Sequence, residues 1–92
     1  MKNAHVHTSH PKVVNRLKRA GGHLHNVIAM IEDTKPCPDI VQQLQAVERA
    51  IGAAKKALIH DHLNQCLDDA LRGQPSGTRE AMNEFRDIAK YL

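Results

Sequence analysis

Two cysteines and one histidine carry the chemistry this sequence offers. His62 and Cys66 stand four residues apart within His60-Asp61-His62-Leu63-Asn64-Gln65-Cys66. On a helix that spacing stacks both side chains on one face, where an imidazole and a thiolate can grip one ion together. Cys37, the other thiol, cannot join them from the same chain. The stretch from Pro38 to Leu71 reads as one unbroken helix, and the 29 residues from Cys37 to Cys66, at about 1.5 Å each, span roughly 44 Å. Metal–sulfur bonds are about 2.3 Å long, so a site using all three residues must be built between two chains. Antiparallel pairing of this helix with its twin brings Cys37 of one subunit to His62 and Cys66 of the other. The crossing then falls near Ile51, where Ala50-Ile51-Gly52-Ala53-Ala54 is small enough for close approach. A dimer and a metal site follow from the same inference.

The elements that must position these residues are all helical. Pro11 suits a first helical position with Ser9 or His10 as cap. From there to about Asp33, apolar residues recur at helical period: Val13, Leu17, Ala20, Leu24, Val27, Ile28 and Ile31. Arg16, Lys18 and Arg19 occupy polar positions between them. Thr34-Lys35-Pro36-Cys37-Pro38 breaks the pattern, because each proline disfavours helix at the residue before it. A second helix is predicted from Pro38, with Asp39 favourable in its first turn. Its stripe of Ile40, Leu44, Val47, Ile51, Ala54, Leu58, His62 and Cys66 is close to a heptad seam. Gly73-Gln74-Pro75-Ser76-Gly77 ends it, and Thr78 to about Tyr91 forms a third helix with Ala81, Met82, Phe85, Ile88 and Ala89 inward. Residues 1–10 are read as a flexible arm carrying His5, His7 and His10, and residues 11–92 as a single helical domain. The expected architecture is an all-α three-helix protomer paired into an antiparallel four-helix bundle.

Composition bounds the rest. With 92 residues and one very long helix, the chain cannot cover that helix alone, so self-association is the expected stabiliser. The cysteines are not spaced as a disulfide framework, and no signal peptide or long apolar span appears. This places the chain in the cytoplasm, where thiols stay reduced, and away from membranes. The net charge of +3 is unevenly placed and favours a polyanionic partner. An enzyme is not expected, since no general base stands beside the ligands.

These residues also carry a resemblance. Asn15-Arg16-Leu17-Lys18-Arg19-Ala20-Gly21-Gly22-His23-Leu24, then Cys37, Gln42-Gln43-Leu44-Gln45-Ala46-Val47, and Leu58 through Cys66 resemble the CsoR/RcnR family of bacterial metal-sensing repressors. The resemblance implies a dimer of dimers that binds operator DNA when metal-free and releases it when metal arrives. It implies that Cys37 serves from one subunit, and His62 and Cys66 from its partner, which agrees with the site deduced from helix length. Two thiolates and an imidazole make a soft, low-coordinate site suited to Cu(I). It also places His5 where the nickel sensors of the family carry an extra histidine, so a square-planar Ni(II) set is the alternative. Many copper sensors have Tyr before the first Cys, where this chain has Pro36. Glu84 falls where copper sensors keep a glutamate that hydrogen-bonds the metal-bound histidine. Of the other branches, a formaldehyde sensor needs an N-terminal proline where Lys2 stands, and a persulfide sensor lacks the histidine found here as His62.

The basic residues Arg16, Lys18, Arg19, Lys55 and Lys56 are expected to meet duplex DNA. Arg16 and Lys56 match family DNA positions, and no aromatic platform for single strands exists. The plainer readings are a solvated basic face, an ordinary thiol at Cys37, a solvated His60 pointing away from His62, and His23 and His25 beside the first-helix core. A metal chaperone or buffer that binds no DNA is the competing function, and it leaves Arg16, Lys18 and Arg19 without a use.

Overall fold

In a computed structural model the chain forms three helices: α1 (His10–Glu32), α2 (Cys37–Leu71) and α3 (Pro75–Ala89). The structure describes residues 10–73 and 75–92, so Met1 to Ser9, with His5 and His7, lie outside it. Among the described residues there is no strand, as the helical periodicity requires. His10, assigned above to the arm, is the first residue of α1.

The turns show why the helices stop where they do. At the end of α1, Thr34 N–H donates to the Ile31 carbonyl at 3.1 Å and Lys35 N–H to the Met30 carbonyl at 3.0 Å, the paired bonds of a Schellman stop. The motif needs a left-handed residue, and Thr34 supplies it at φ 55°. α2 begins one residue before the expected Pro38. The Pro36 carbonyl accepts from Asp39 and Ile40, and Pro38 lies in the first turn, where a missing N–H costs nothing. At the far end Gly73 takes φ 71°, a conformation open to glycine without a Cβ clash. α3 starts at Pro75 rather than Thr78, and it ends at Ala89 rather than Tyr91.

α2 is the spine of the protomer, and both other helices pack on it. Its 35 residues run about 52 Å, whereas the 23 of α1 reach only about 35 Å. α1 therefore covers the first part of α2, and α3 folds back over the remainder. Val13, Ala20 and Val27 of α1, spaced by sevens, are buried with Val47 and Ala54 of α2. Beyond Ala54 the buried residues of α2 shift to Ile59, Cys66 and Asp69.

The single seam expected along α2 is in fact two faces. Val47, Ala54 and Cys66 are buried, Ile40 and His62 half-buried, but Leu44, Ile51 and Leu58 are exposed. Likewise Leu17, Leu24, Ile28 and Ile31 of α1 are exposed, and so is Met82 of α3. The Ala81 side chain lies outside the described residues. The reason is geometric: an apolar stripe of this breadth is wider than one neighbouring helix can cover. Small residues let α1 and α2 meet, and the larger leucines and isoleucines flank that contact. Leu24, Val41, Leu44 and Ile51 thereby line an open apolar groove of about 410 Å³ on one side of the hairpin. A methyl added at Gly52 would meet nothing within 4 Å, so packing within the protomer does not demand the small residue there.

Candidate metal centre and nucleic-acid face

His62 and Cys66 lie on adjacent turns of α2, on the side that α3 approaches. Cys66 is 1% exposed. Burial pushes its thiol up, the negative charges of Asp69 and Glu84 add to that, and a backbone hydrogen bond opposes it. The His62 ring presents Nε2 to Glu84 Oε2 at 3.7 Å, an ion-pair rather than a hydrogen-bond distance. His62 is well shielded and Glu84 largely exposed, so water screens their attraction. Asp69, three residues after Cys66 and equally buried, accepts a hydrogen bond from Gln65 Nε2 at 3.1 Å.

Cys37 is exposed and begins α2 at its opposite end. The unbroken helix keeps it about 44 Å from Cys66, within a protomer 58 Å long. Among the described residues, no three His, Cys, Asp or Glu of one protomer are grouped to hold a metal ion. One chain thus supplies a thiol and an imidazole at one end and a thiol at the other. The donor chemistry suits a soft or borderline transition metal. A cation bound at Cys66 would have to displace the thiol proton, and the nearby Asp69 and Glu84 charges would favour the cation. His5 lies outside the described residues, and His60 is exposed.

The basic residues do not form one patch. Arg16 and Arg19 line a groove of about 420 Å³ between α1 and α2, together with Ala20, His23, Ala50 and Ala53. Lys18, Lys55 and Lys56 are exposed and do not line it. Lys18 is two residues from Arg16, about 200° around the helix. Lys55 belongs to the stripe leading to Ile59 and His62. His25 is exposed, not beside the core, while His23 is half-buried and bonds Gln43 on α2.

Sequence reasoning passed over Asp69, Gln65 and Gln43. Asp69 had a signal, since three residues after Cys66 is the same helix face, but a helical aspartate ordinarily reads as solvated. His10 also reaches across the hairpin, with Nε2 3.9 Å from Asp61 Oδ2. Nothing in the spacing of His10 or Gln43 announces a partner on another helix.

Residues 9–90, nearly all of the chain, match the profile of the metal-sensitive transcriptional repressor family. The chain belongs to that family. Among its members, the copper-sensing transcriptional repressor CsoR of Mycobacterium ulcerans (strain Agy99) is 37% identical over 81 residues, covering 85% of this chain. The chain spans 65% of that relative's length. CsoR of Bacillus subtilis (strain 168) is 35% identical over 80 residues, 86% of this chain and 76% of that protein. A solved structure, the nickel-responsive transcriptional regulator InrS, superposes with a TM-score of 0.78 at 28% identity, covering 97% of this chain and 98% of its own. The three-helix arrangement is therefore shared with that regulator. No helix among the described residues is long and apolar enough to cross a membrane.

Proposed function

We propose that this chain is a cytoplasmic metal-responsive repressor that binds operator DNA when metal-free and is released by Cu(I), so that metal efflux or detoxification genes are expressed. The observation that carries this reading is α2 itself. One continuous helix has Cys37 as its first residue and His62 and Cys66 near its other end, so its metal ligands can meet only across an antiparallel dimer. The exposed flank of Leu44, Ile51 and Leu58 supplies the apolar face that such pairing needs. Two dimers then associate as the tetramer. The relatives named as copper sensors support Cu(I), and the Cys-His-Cys donor set is soft enough to prefer it.

In this reading the Cys37 and Cys66 thiolates and the His62 imidazole would hold the metal, which would supply positive charge to a site shared by two subunits. His62 presents Nε2 toward Glu84 of α3 at 3.7 Å. Positive charge held at the imidazole would strengthen its attraction to Glu84 and so tie the end of α2 to α3. Arg16 and Arg19 in the groove between α1 and α2, and the exposed Lys18, Lys55 and Lys56 outside it, bind phosphates of duplex DNA. A useful switch needs a coupling of about 1–3 kcal/mol between metal and DNA, or roughly 5- to 150-fold in affinity.

A gel shift with the chain's own promoter tests this. The metal-free protein should retard the duplex, and Cu(I) should abolish the shift. A protein that binds Cu(I) tightly but never retards the duplex is instead a metal buffer. The second reading, Ni(II) sensing with His5 as a further ligand, is favoured by the likeness to the nickel-responsive InrS. Parallel titrations separate the two: His5→Ala should weaken Ni(II) and spare Cu(I) if nickel is the signal.

A further inference from the structure

A side-chain hydrogen bond joins α1 to α2 across the hairpin: His23 Nε2 donates to Gln43 Oε1 at 2.6 Å. His23 also lines the groove that contains Arg16 and Arg19, the three falling at i, i+3 and i+7 along one face of α1. The floor of the groove is Ala20, Ala50 and Ala53, methyl groups with nothing to lock one helix against sliding past the other. The adjoining core has the same character, being Val13, Ala20 and Val27 against Val47 and Ala54. Apolar contact is non-directional, and a seam of small, similar residues specifies register weakly. A short, directional bond between two polar side chains specifies it well, which is the best-attested use of a polar pair in an apolar interface.

We infer that the His23–Gln43 bond sets the register of α1 against α2 and so positions Arg16 and Arg19 for the phosphates of a DNA strand. His23 and Gln43 are positioning residues for operator binding and do not themselves touch DNA. The Nε2 proton is committed to Gln43, and the arginines, exposed and always charged, make the phosphate contacts. Guanidinium groups on a helix of fixed register lose less freedom on binding than groups whose carrier helix must also be ordered. This rests on the operator-binding reading above.

The experiment measures binding of the metal-free full chain to a fluorescein-labelled duplex of its own promoter over a series of salt concentrations. The proteins are wild type, His23→Ala, Gln43→Ala, the double variant, His23→Gln and Arg16→Ala. Each single alanine variant should bind about fivefold more weakly, the worth of one neutral hydrogen bond. The double variant should be no worse than either, because one bond is lost in all three. The log–log salt slope should stay at the wild-type value, whereas Arg16→Ala lowers it by about one unit. His23→Gln keeps an N–H donor within reach of Gln43 and should recover most of the loss. Helix content by circular dichroism and Cu(I) affinity should match wild type throughout. Alanine variants that bind like wild type, losses that multiply in the double variant, or a shallower slope for His23→Ala would each overturn the inference. A wild-type protein that binds no duplex removes the operator-binding reading and this inference with it. Wild-type binding with unaffected variants removes the inference alone.

Discussion

At the start of α2, Cys37 stands exposed between two prolines, while near its other end Cys66 is buried beside Asp69 on the side facing α3. Both are thiols on the same helix, yet their surroundings are opposite. The Cys66 end is assembled within one chain, with His62, Glu84 and Asp69 already around it and its thiol pushed up by burial and by the negative charges of Asp69 and Glu84. Among the described residues, the Cys37 end offers an exposed sulfur and no cluster of further ligands. The turns differ too: Thr34 takes the left-handed position before α2, and Gly73 takes it after. In the proposed function the contrast is a division of labour, a preformed half-site meeting an exposed sulfur from a second copy.

The strongest way to break the comparison is to prevent the second copy from arriving. Ile51→Lys puts a charge at the expected crossing, where the side chain is exposed in the single chain and would be covered in the proposed dimer. Burying an unpaired charge there should cost about 3 kcal/mol or more. Sedimentation should show monomers, and Cu(I) affinity should fall with assembly. A monomer retaining full affinity would show that the site is not shared.

Next are the sulfurs themselves. Cys37→Ser and Cys66→Ser should each weaken Cu(I) binding by more than about 100-fold, as removal of a ligand exceeds the 10- to 100-fold typical of supporting residues. Chelator competition measures this. An equimolar mixture of the two variants should regain about a quarter of the wild-type sites, because about half of the randomly paired two-fold dimers are mixed and each of these keeps one intact site of two, with Cys37 from one chain and Cys66 from the other. If Cys37→Ser leaves affinity intact, the exposed end takes no part.

Glu84 sharpens the contrast more gently. It is 69% exposed, so Glu84→Gln should leave Cu(I) affinity within about tenfold while reducing metal-driven release from the promoter, read by anisotropy. Release identical to wild type would remove this link between α2 and α3.

The smallest expected effect is at the turns. Thr34→Gly should raise unfolding stability by about 1 kcal/mol and Gly73→Ala should lower it by about the same amount, since only glycine enters the left-handed region without a Cβ penalty. Urea denaturation of the metal-free protein reads both. Equal signs would mean that the Thr34 hydroxyl, which bonds the Asp33 carbonyl at 2.6 Å, offsets its backbone strain.

The continuity of α2 was legible from residue order alone. Thirty-odd residues without an interior proline, carrying a heptad stripe, can hardly do anything but form a helix, and helical rise then fixes how far apart Cys37 and Cys66 must be. The four-residue spacing of His62 and Cys66 was equally local. Residues far apart in sequence were harder to place. The resemblance pointed to Glu84, but its distance from His62 depends on how α3 packs against α2. The sequence by itself determined the helices and the faces on which donors sit, because period and rise are properties of neighbouring residues. Only the tertiary structure decided that Val47 and Ala54 face α1 while Leu44 and Ile51 do not, that Asp69 is buried beside Cys66, and that His23 meets Gln43. An apolar stripe says that a surface will be covered, but the register between helices decides what covers it, and that register is a contact between distant parts of the chain.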